Sequence, residues 1–191
     1  MVIIEIITIG LIFILLVIMT NPMQNKSDNS KNHLFKNKTR ILMIITQFLA
    51  LILAILSIPA NKNNIGIIKM PIFINIIGLG IMISGLLIRI LSMRILGKYY
   101  STLLFVNNEQ MIITKGLYGI IRHPIYLGDL LFFIAIGLSV SNYIIFGIIT
   151  ISAIIAYIIR IGVEEKMMTS NMGNSYFEYC KKTKKLIPYI Y

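Results

Sequence analysis

The chain has 191 residues, 57% of them hydrophobic and 13% charged, with a formal net charge of +11. That apolar share exceeds what a soluble domain buries, so the composition excludes a water-soluble enzyme and indicates an all-α integral membrane protein of about five spans, at roughly 20 residues each. The positive balance does not indicate a nucleic-acid binder, because the basic residues flank apolar runs, where they orient a chain and meet anionic lipid.

Residues 2–20 form the first apolar run, interrupted by Glu5. The run has no basic leader and no Ala-x-Ala-like cleavage site, so it reads as a retained span and not a signal peptide. Residues 21–40 are polar and basic, with Lys26, Lys31, Lys36, Lys38 and Arg40 against Asp28. His33 lies there without a second ligand beside it and reads as a solvated loop histidine. Residues 41–58 are the second span, closed by Pro59. Pro71 opens a third span that runs to about Leu91 and carries Gly78, Gly80, Ser84 and Gly85. Gly80 and Ser84 make a small-xxx-small pair that lets another helix approach closely. Gly78-x-Gly80 is no nucleotide fingerprint, since no strand precedes it.

Residues 89–110 read as a juxtamembrane stretch with Arg89, Arg94 and Lys98, followed by Tyr99 and Tyr100. The fourth span covers residues 125–140 and the fifth 143–159. Ser141-Asn142 is so short a connector that these two spans form an antiparallel hairpin. From Arg160 to Tyr191 the chain is polar and basic. A single cysteine, Cys180, excludes an internal disulfide and fits a reducing compartment for the tail. Lys181 and Lys182 beside it favour a lowered thiol pKa, although an incidental small residue explains it as well. Lys181, Lys182, Lys184 and Lys185 suit anionic headgroups.

Of the 18 Lys and Arg, all but Lys62 and Lys69 fall on one side if the first loop, the third loop and the tail share it. The positive-inside rule then puts the N-terminus outside and both the third loop and the C-terminus in the cytoplasm.

The densest polar stretch sits in that third loop: Lys115-Gly116-Leu117-Tyr118-Gly119-Ile120-Ile121-Arg122-His123-Pro124-Ile125-Tyr126-Leu127-Gly128-Asp129. Pro124 suits the first turn of a helix, because its missing N–H would have no intrahelical partner. The residue before proline is pushed to extended geometry, which sets His123 at the helix mouth. The N–H groups of Ile125, Tyr126 and Leu127 then point back toward Arg122 and His123, a setting that attracts anions. The alternative is an interfacial loop in which Arg122 and Tyr126 only anchor a helix at the headgroups. Asp129, one turn into the helix, reads either as a partner for a nearby cation or as a contact for a cationic ligand.

A second polar set follows the fifth span: Arg160-x3-Glu164-Glu165, then Gly173-x2-Tyr176-x2-Tyr179, then Leu186-Ile187-Pro188. On a continuing helix Arg160 and Glu164 share a face and can pair, with Glu165 about a quarter-turn away. The alternative is a snorkelling arginine with a weak surface ion pair. Topology favours a shared site, because the hairpin returns this set to the membrane face of the Arg122-His123-Pro124 loop.

Together, Gly116-x-Tyr118-x3-Arg122-His123-Pro124-x-Tyr126-x-Gly128, a helical hairpin and the Arg160 to Pro188 set resemble the isoprenylcysteine carboxyl methyltransferase family. That family sits within a wider group of integral-membrane methyltransferases that includes the phospholipid N-methyltransferases. The likeness covers roughly residues 97–188; Leu117 stands where the family usually has Pro, and Met172 where it has Phe. The resemblance implies S-adenosylmethionine at the cytoplasmic face and a lipophilic acceptor entering from the bilayer. It implies Gly116, Tyr118, Arg122, His123, Pro124, Tyr126, Leu127, Gly128 and Glu165 as cofactor-binding residues, with Arg160 holding an acceptor carboxylate and Glu164 orienting acceptor or donor. Residues 1–88 would then be scaffold and 89–191 the catalytic region. The residues themselves agree: a donor with a sulfonium, an amine and a carboxylate needs both an anion site and nearby acids. The absence of a His/Cys cluster argues against a metal. The expected function is a membrane methyltransferase acting on an isoprenylcysteine-type carboxylate. The same donor with a phospholipid amine or small thiol is one alternative, and a non-catalytic scaffold or carrier another; the halves show no inverted repeat, which weakens the carrier.

Overall fold

The computed structural model describes residues 2–20, 33–67, 71–100 and 112–188. Its elements are α1 (Val2–Thr20), α2 (His33–Lys62), α3 (Ile72–Leu96), α4 (Pro124–Val140), α5 (Tyr143–Met172) and α6 (Asn174–Lys182), with short 3-10 turns at Gly97–Tyr99 and Gly116–Gly119. Among the described residues there are isolated bridges but no strand. Among the described residues three helices are long and apolar enough to cross a membrane, α2 from Thr39, α3 and α5, while the apolar parts of α1 and α4 are shorter.

Burial is inverted relative to a soluble protein. Glu5, Thr46, Gln47, Asn61, Asn75, Arg89, Asp129 and Arg160 are buried, whereas Ile6, Phe13, Ile52, Ile76, Leu87, Ile151 and Ile158 face outward. A bilayer explains this: lipid takes isoleucine and leucine at no cost, while polar groups need partners inside the protein. The chain is an integral membrane protein.

The helix at the centre is α4. It packs against α1, α2, α3 and α5, and it is apolar on every side, as a helix buried all round must be. Its contact with α3 is a close one: Gly85 and Gly128 face each other, and a Cβ on either would collide with the other's carbonyl oxygen. These small residues, not Gly80 and Ser84, make the near approach. Nothing lies within 4 Å of a Cβ at Gly80, and Ser84 is exposed. In a helix this uniformly apolar, either small pair could face inward, and only packing selects Gly78 and Gly85.

Three helices run past the limits the sequence suggested, α2, α3 and α5, the last continuing to Met172. Residues 33–40, expected in a loop, form the start of α2, so His33 opens a helix. The same helix continues through Pro59 to Lys62. A proline loses only its own N–H bond, and one further turn is held by Asn63, whose backbone N–H and side-chain amide both donate to the Pro59 carbonyl. Likewise α3 reaches Leu96, so Arg89 is a buried residue inside a helix and not a juxtamembrane anchor.

The end of the bundle that carries the α4–α5 connection is closed by a polar clasp. Asn61 donates to the Glu5 carboxylate at 2.7 Å and to the Val140 carbonyl at 2.9 Å. Asn142 donates to the Asn61 side-chain carbonyl at 2.9 Å and accepts from the Ile145 N–H, capping α5. Asn75 donates to the Ser139 carbonyl and to the Ser141 hydroxyl. Ser141 itself adopts a left-handed conformation, so only two residues separate the two helices.

Candidate active site

At the opposite end, where α4 begins and α5 runs on, the two polar segments of the sequence meet. Pro124 stands in the first turn of α4 and His123 precedes it in a non-helical conformation. Backbone bonds join the loop to the tail. The Arg122 N–H donates to the Lys184 carbonyl at 2.8 Å, the Lys184 N–H to the Ile120 carbonyl at 3.0 Å, and the His123 N–H to the Lys185 carbonyl at 3.2 Å. The Tyr179 hydroxyl, on α6, donates to the Tyr118 carbonyl at 2.7 Å. The loop is therefore held by the tail it was expected to approach.

Arg122 is the main fastening. Its Nη1 donates to the Thr183 carbonyl at 2.6 Å and the Cys180 carbonyl at 3.3 Å, and its Nε to Glu165 at 2.9 Å. Burial works against its charge, but the bonds to Glu165 outweigh it, and its pKa stays above the ordinary arginine value. The anion beside Arg122 and His123 thus comes from the protein itself. The Leu127 N–H, expected to face a ligand, donates to the His123 carbonyl at 3.1 Å in the ordinary helical pattern.

Glu165 also takes Lys185, whose Nζ lies 3.2 Å from Oε2, so this lysine belongs to the site and not solely to the headgroup layer. His123 lies between the two glutamates, with Nε2 3.4 Å from Glu165 Oε1 and Nδ1 3.9 Å from Glu164 Oε2. Its ring stacks on Tyr126, with centroids 5.5 Å apart. The Tyr126 hydroxyl donates to Glu164 at 2.6 Å and accepts from Arg160 Nε at 3.2 Å. It bridges the arginine and glutamate that sequence spacing alone suggested would pair. Arg160 Nη1 in turn donates to the Thr39 hydroxyl of α2 at 2.8 Å.

The exposure is uneven. Arg160 is 2% exposed and His123 6%, while the side chains of Glu164 and Glu165 are 27% and 19% exposed. Arg160 and His123 are sunk below a rim formed by Glu164, Glu165 and Lys185, an arrangement open to a ligand from the polar side. Tyr118 and Tyr176 border this rim. Burial first, and the nearby glutamates second, push both phenols well above their usual pKa, so they remain neutral. Burial likewise raises the Cys180 thiol despite Arg122, so its lysine neighbours do not activate it.

The structure brings Arg122, His123, Tyr126, Arg160, Glu164 and Glu165 into one hydrogen-bonded cluster. Gly116, at φ +58, opens the 3-10 turn that carries Tyr118. Gly128 lies in the α3–α4 contact, where packing accounts for it. Asp129, completely enclosed, pairs with Arg89 of α3, whose Nη2 also donates to the Tyr100 hydroxyl. Of its two readings the structural partner is the one observed. Thr39 was not anticipated at all. A threonine near the start of an apolar helix carries no pattern that marks it. Among the described residues no group of three His, Cys, Asp or Glu could hold a metal.

Comparison with known proteins agrees with the motifs. The model of the isoprenylcysteine carboxyl methyltransferase (ICMT) family matches residues 77–170. Protein-S-isoprenylcysteine O-methyltransferase B of Arabidopsis thaliana is 25% identical over 151 residues, covering 74% of this chain and 73% of that protein. The probable protein-S-isoprenylcysteine O-methyltransferase of Oryza sativa subsp. indica is 28% identical over 120 residues, 62% of this chain and 63% of its own length. The Schizosaccharomyces pombe protein-S-isoprenylcysteine O-methyltransferase is 29% identical over 84 residues, 44% of this chain and 36% of that protein. The match thus spans less than two thirds of the yeast and rice relatives. Among solved structures, the eukaryotic intramembrane Ras methyltransferase ICMT superposes with a TM-score of 0.59 at 20% identity, covering 92% of this chain and 61% of that one. The chain thus shares that protein's fold, and its residues 77–170 are similar to the isoprenylcysteine carboxyl methyltransferase family.

Proposed function

We propose that this protein is an S-adenosylmethionine-dependent methyltransferase whose acceptor is the carboxylate of an isoprenylcysteine-type, lipophilic substrate. The observation that carries the reading is the closure of Arg160, Tyr126, Glu164, His123 and Glu165, drawn from two distant segments, into one cluster at the mouth of α4. The names of the relatives support the acceptor class.

The residues present fit such a donor. Glu164 and Glu165, with the neutral phenols of Tyr118 and Tyr176 beside them, suit a ligand bearing a sulfonium and an ammonium group. Lys185 and His123 supply positive or hydrogen-bonding character for its carboxylate. The donor, when bound, offers a methyl group on sulfur: an O–CH3 bond forms, the S–CH3 bond breaks, and a neutral thioether departs. A carboxylate nucleophile is already ionised, so the protein needs no general base and contributes position above all. Arg160 orients the carboxylate through its planar fork. Glu164 acts through the Tyr126 hydroxyl it shares with Arg160. Gly116, Tyr118, Pro124, Leu127 and Gly128 shape the loop and the first turns of α4 that hold these groups.

The same reading places five crossings in the bilayer, with α4 and α5 as a tight hairpin, the N-terminus outside, and the loop and C-terminus in the cytoplasm. The distribution of Lys and Arg along the sequence, all but Lys62 and Lys69 falling in the first loop, the third loop and the tail, supports it. Residues 89–191 then carry the reacting groups and residues 1–88 the scaffold.

The test is methyl transfer from labelled S-adenosylmethionine by the purified protein in lipid, offered a farnesyl-cysteine analogue. Transfer by the wild type, cut by on the order of a hundredfold in Arg160→Ala and in His123→Ala, is the expected result. Saturable donor binding without transfer would send the acceptor assignment elsewhere, and neither binding nor transfer would end the proposal.

A further inference from the structure

The anchor of Arg160 lies on a helix outside the residues that the family model matches. Thr39 is 4% exposed, near the start of α2, and its hydroxyl accepts from Arg160 Nη1 at 2.8 Å. On the other flank, Nε donates to the Tyr126 hydroxyl of α4 at 3.2 Å. The guanidinium is therefore gripped at two of its three nitrogens by hydroxyls from two different helices.

The Tyr126 hydroxyl carries its own bond to Glu164, so α2, α4 and α5 are joined through the Arg160 fork. A hydroxyl that accepts from a guanidinium fixes the plane of that fork.

We infer that Thr39 is a positioning residue for acceptor recognition, fixing the Arg160 fork so that it presents its charge to the acceptor carboxylate. The inference rests on the reading of Arg160 as the carboxylate holder. It makes α2 part of the acceptor end of the site and not scaffold alone. Thr39 touches no reacting atom; it acts through Arg160.

The experiment compares wild type, Thr39→Val and Thr39→Ser in lipid, reading KM separately for donor and acceptor, and inhibition by a farnesyl-cysteine carboxylate against its methyl ester. Valine keeps the shape and removes the acceptor oxygen; serine keeps the oxygen. The expected result is an acceptor KM raised about tenfold in Thr39→Val, a donor KM within about twofold of wild type, and recovery in Thr39→Ser, since one hydrogen bond to a charged group is lost and regained. Inhibition by the carboxylate weakens in parallel, while inhibition by the ester does not. Wild-type kinetics in Thr39→Val, equal losses for donor and acceptor, or no recovery with serine overturns the role of Thr39 and leaves the methyltransferase reading standing. A wild type without transfer overturns both, and the wild-type control alone tells these cases apart.

Discussion

The two ends of this helix bundle solve the same problem in opposite ways. Both bury polar side chains among helices that are otherwise oily. The clasp at the α4–α5 connection uses Glu5, Asn61, Asn75, Ser141 and Asn142, none more than 9% exposed, and closes its bonds on backbone carbonyls and a helix cap. The site end uses arginines, glutamates, a histidine and a lysine, and leaves its carboxylates part-open to the polar side. Enclosed amides, together with the one carboxylate they hold, make a fixed joint closed to a ligand. Charges shared among several partners at a rim make a surface that a ligand can reorganise. Polarity in the interior therefore does not mark function by itself; charge together with access does.

The Arg89–Asp129 pair tests that distinction hardest, because it has the charges of the site and the closure of the clasp. Both residues are fully enclosed between α3 and α4, next to the Gly85–Gly128 contact. If access is what separates the two ends, the pair is structural. Asp129→Ala leaves an uncompensated buried guanidinium and should destabilise the protein by about 3–5 kcal/mol, read as a lowered thermal midpoint in detergent. Arg89→Met with Asp129→Leu, which removes both charges, should recover most of that loss. A variant that keeps its stability but loses methyl transfer would move the pair into the site and break the comparison.

A smaller effect is expected at the clasp. Asn61→Leu strands the Glu5 carboxylate and the Asn142 amide, each a buried group losing a partner. About 2–4 kcal/mol of stability should go, at roughly 1–3 kcal/mol per unsatisfied group. Methyl transfer per folded molecule should not change. A change in acceptor KM at Asn61 would mean that the far end communicates with the site along α4.

How much of this was legible in the sequence follows from the same contrast. Arg122-His123-Pro124 and Arg160-x3-Glu164-Glu165 stand out because dense polar clusters are rare in a chain this apolar, and Pro124 fixes where a helix starts. Their meeting followed from the two-residue link at Ser141-Asn142. The clasp was invisible, since Glu5, Asn61, Asn75 and Asn142 are single residues far apart in sequence, each unremarkable alone. Arg89 and Asp129 are forty positions apart, and no periodicity links them. Gly85 and Gly128 lost to Gly80 and Ser84 because helices apolar on every side give no signal of which face turns inward. Thr39 fell in a segment whose charges read as a loop, although it is helical.

The least effect is expected at the tail, and it bears on how firmly the site end is closed. Cys180 sits on α6, its carbonyl taking a bond from Arg122 and its thiol half-buried. Burial raises the thiol pKa, with Arg122 only partly opposing the shift. The docked tail therefore holds the thiol protonated more tightly than an undocked one, and the docking weakens as pH rises through the raised pKa. Maleimide labelling of Cys180 against pH should thus show a midpoint above that of a free cysteine, near 8.5 in about its ordinary setting. Arg122→Gln removes the fastening to Thr183 and Glu165 and should bring the midpoint down toward that ordinary value as the tail loosens, even though it also removes a nearby positive charge. That sign is informative, because losing a cation from a tail that stayed docked would move the midpoint up. A downward shift means the tail is a hinged wall that Arg122 holds in place; an upward shift means the site end is as fixed as the clasp, and the contrast between the two ends would rest on charge alone.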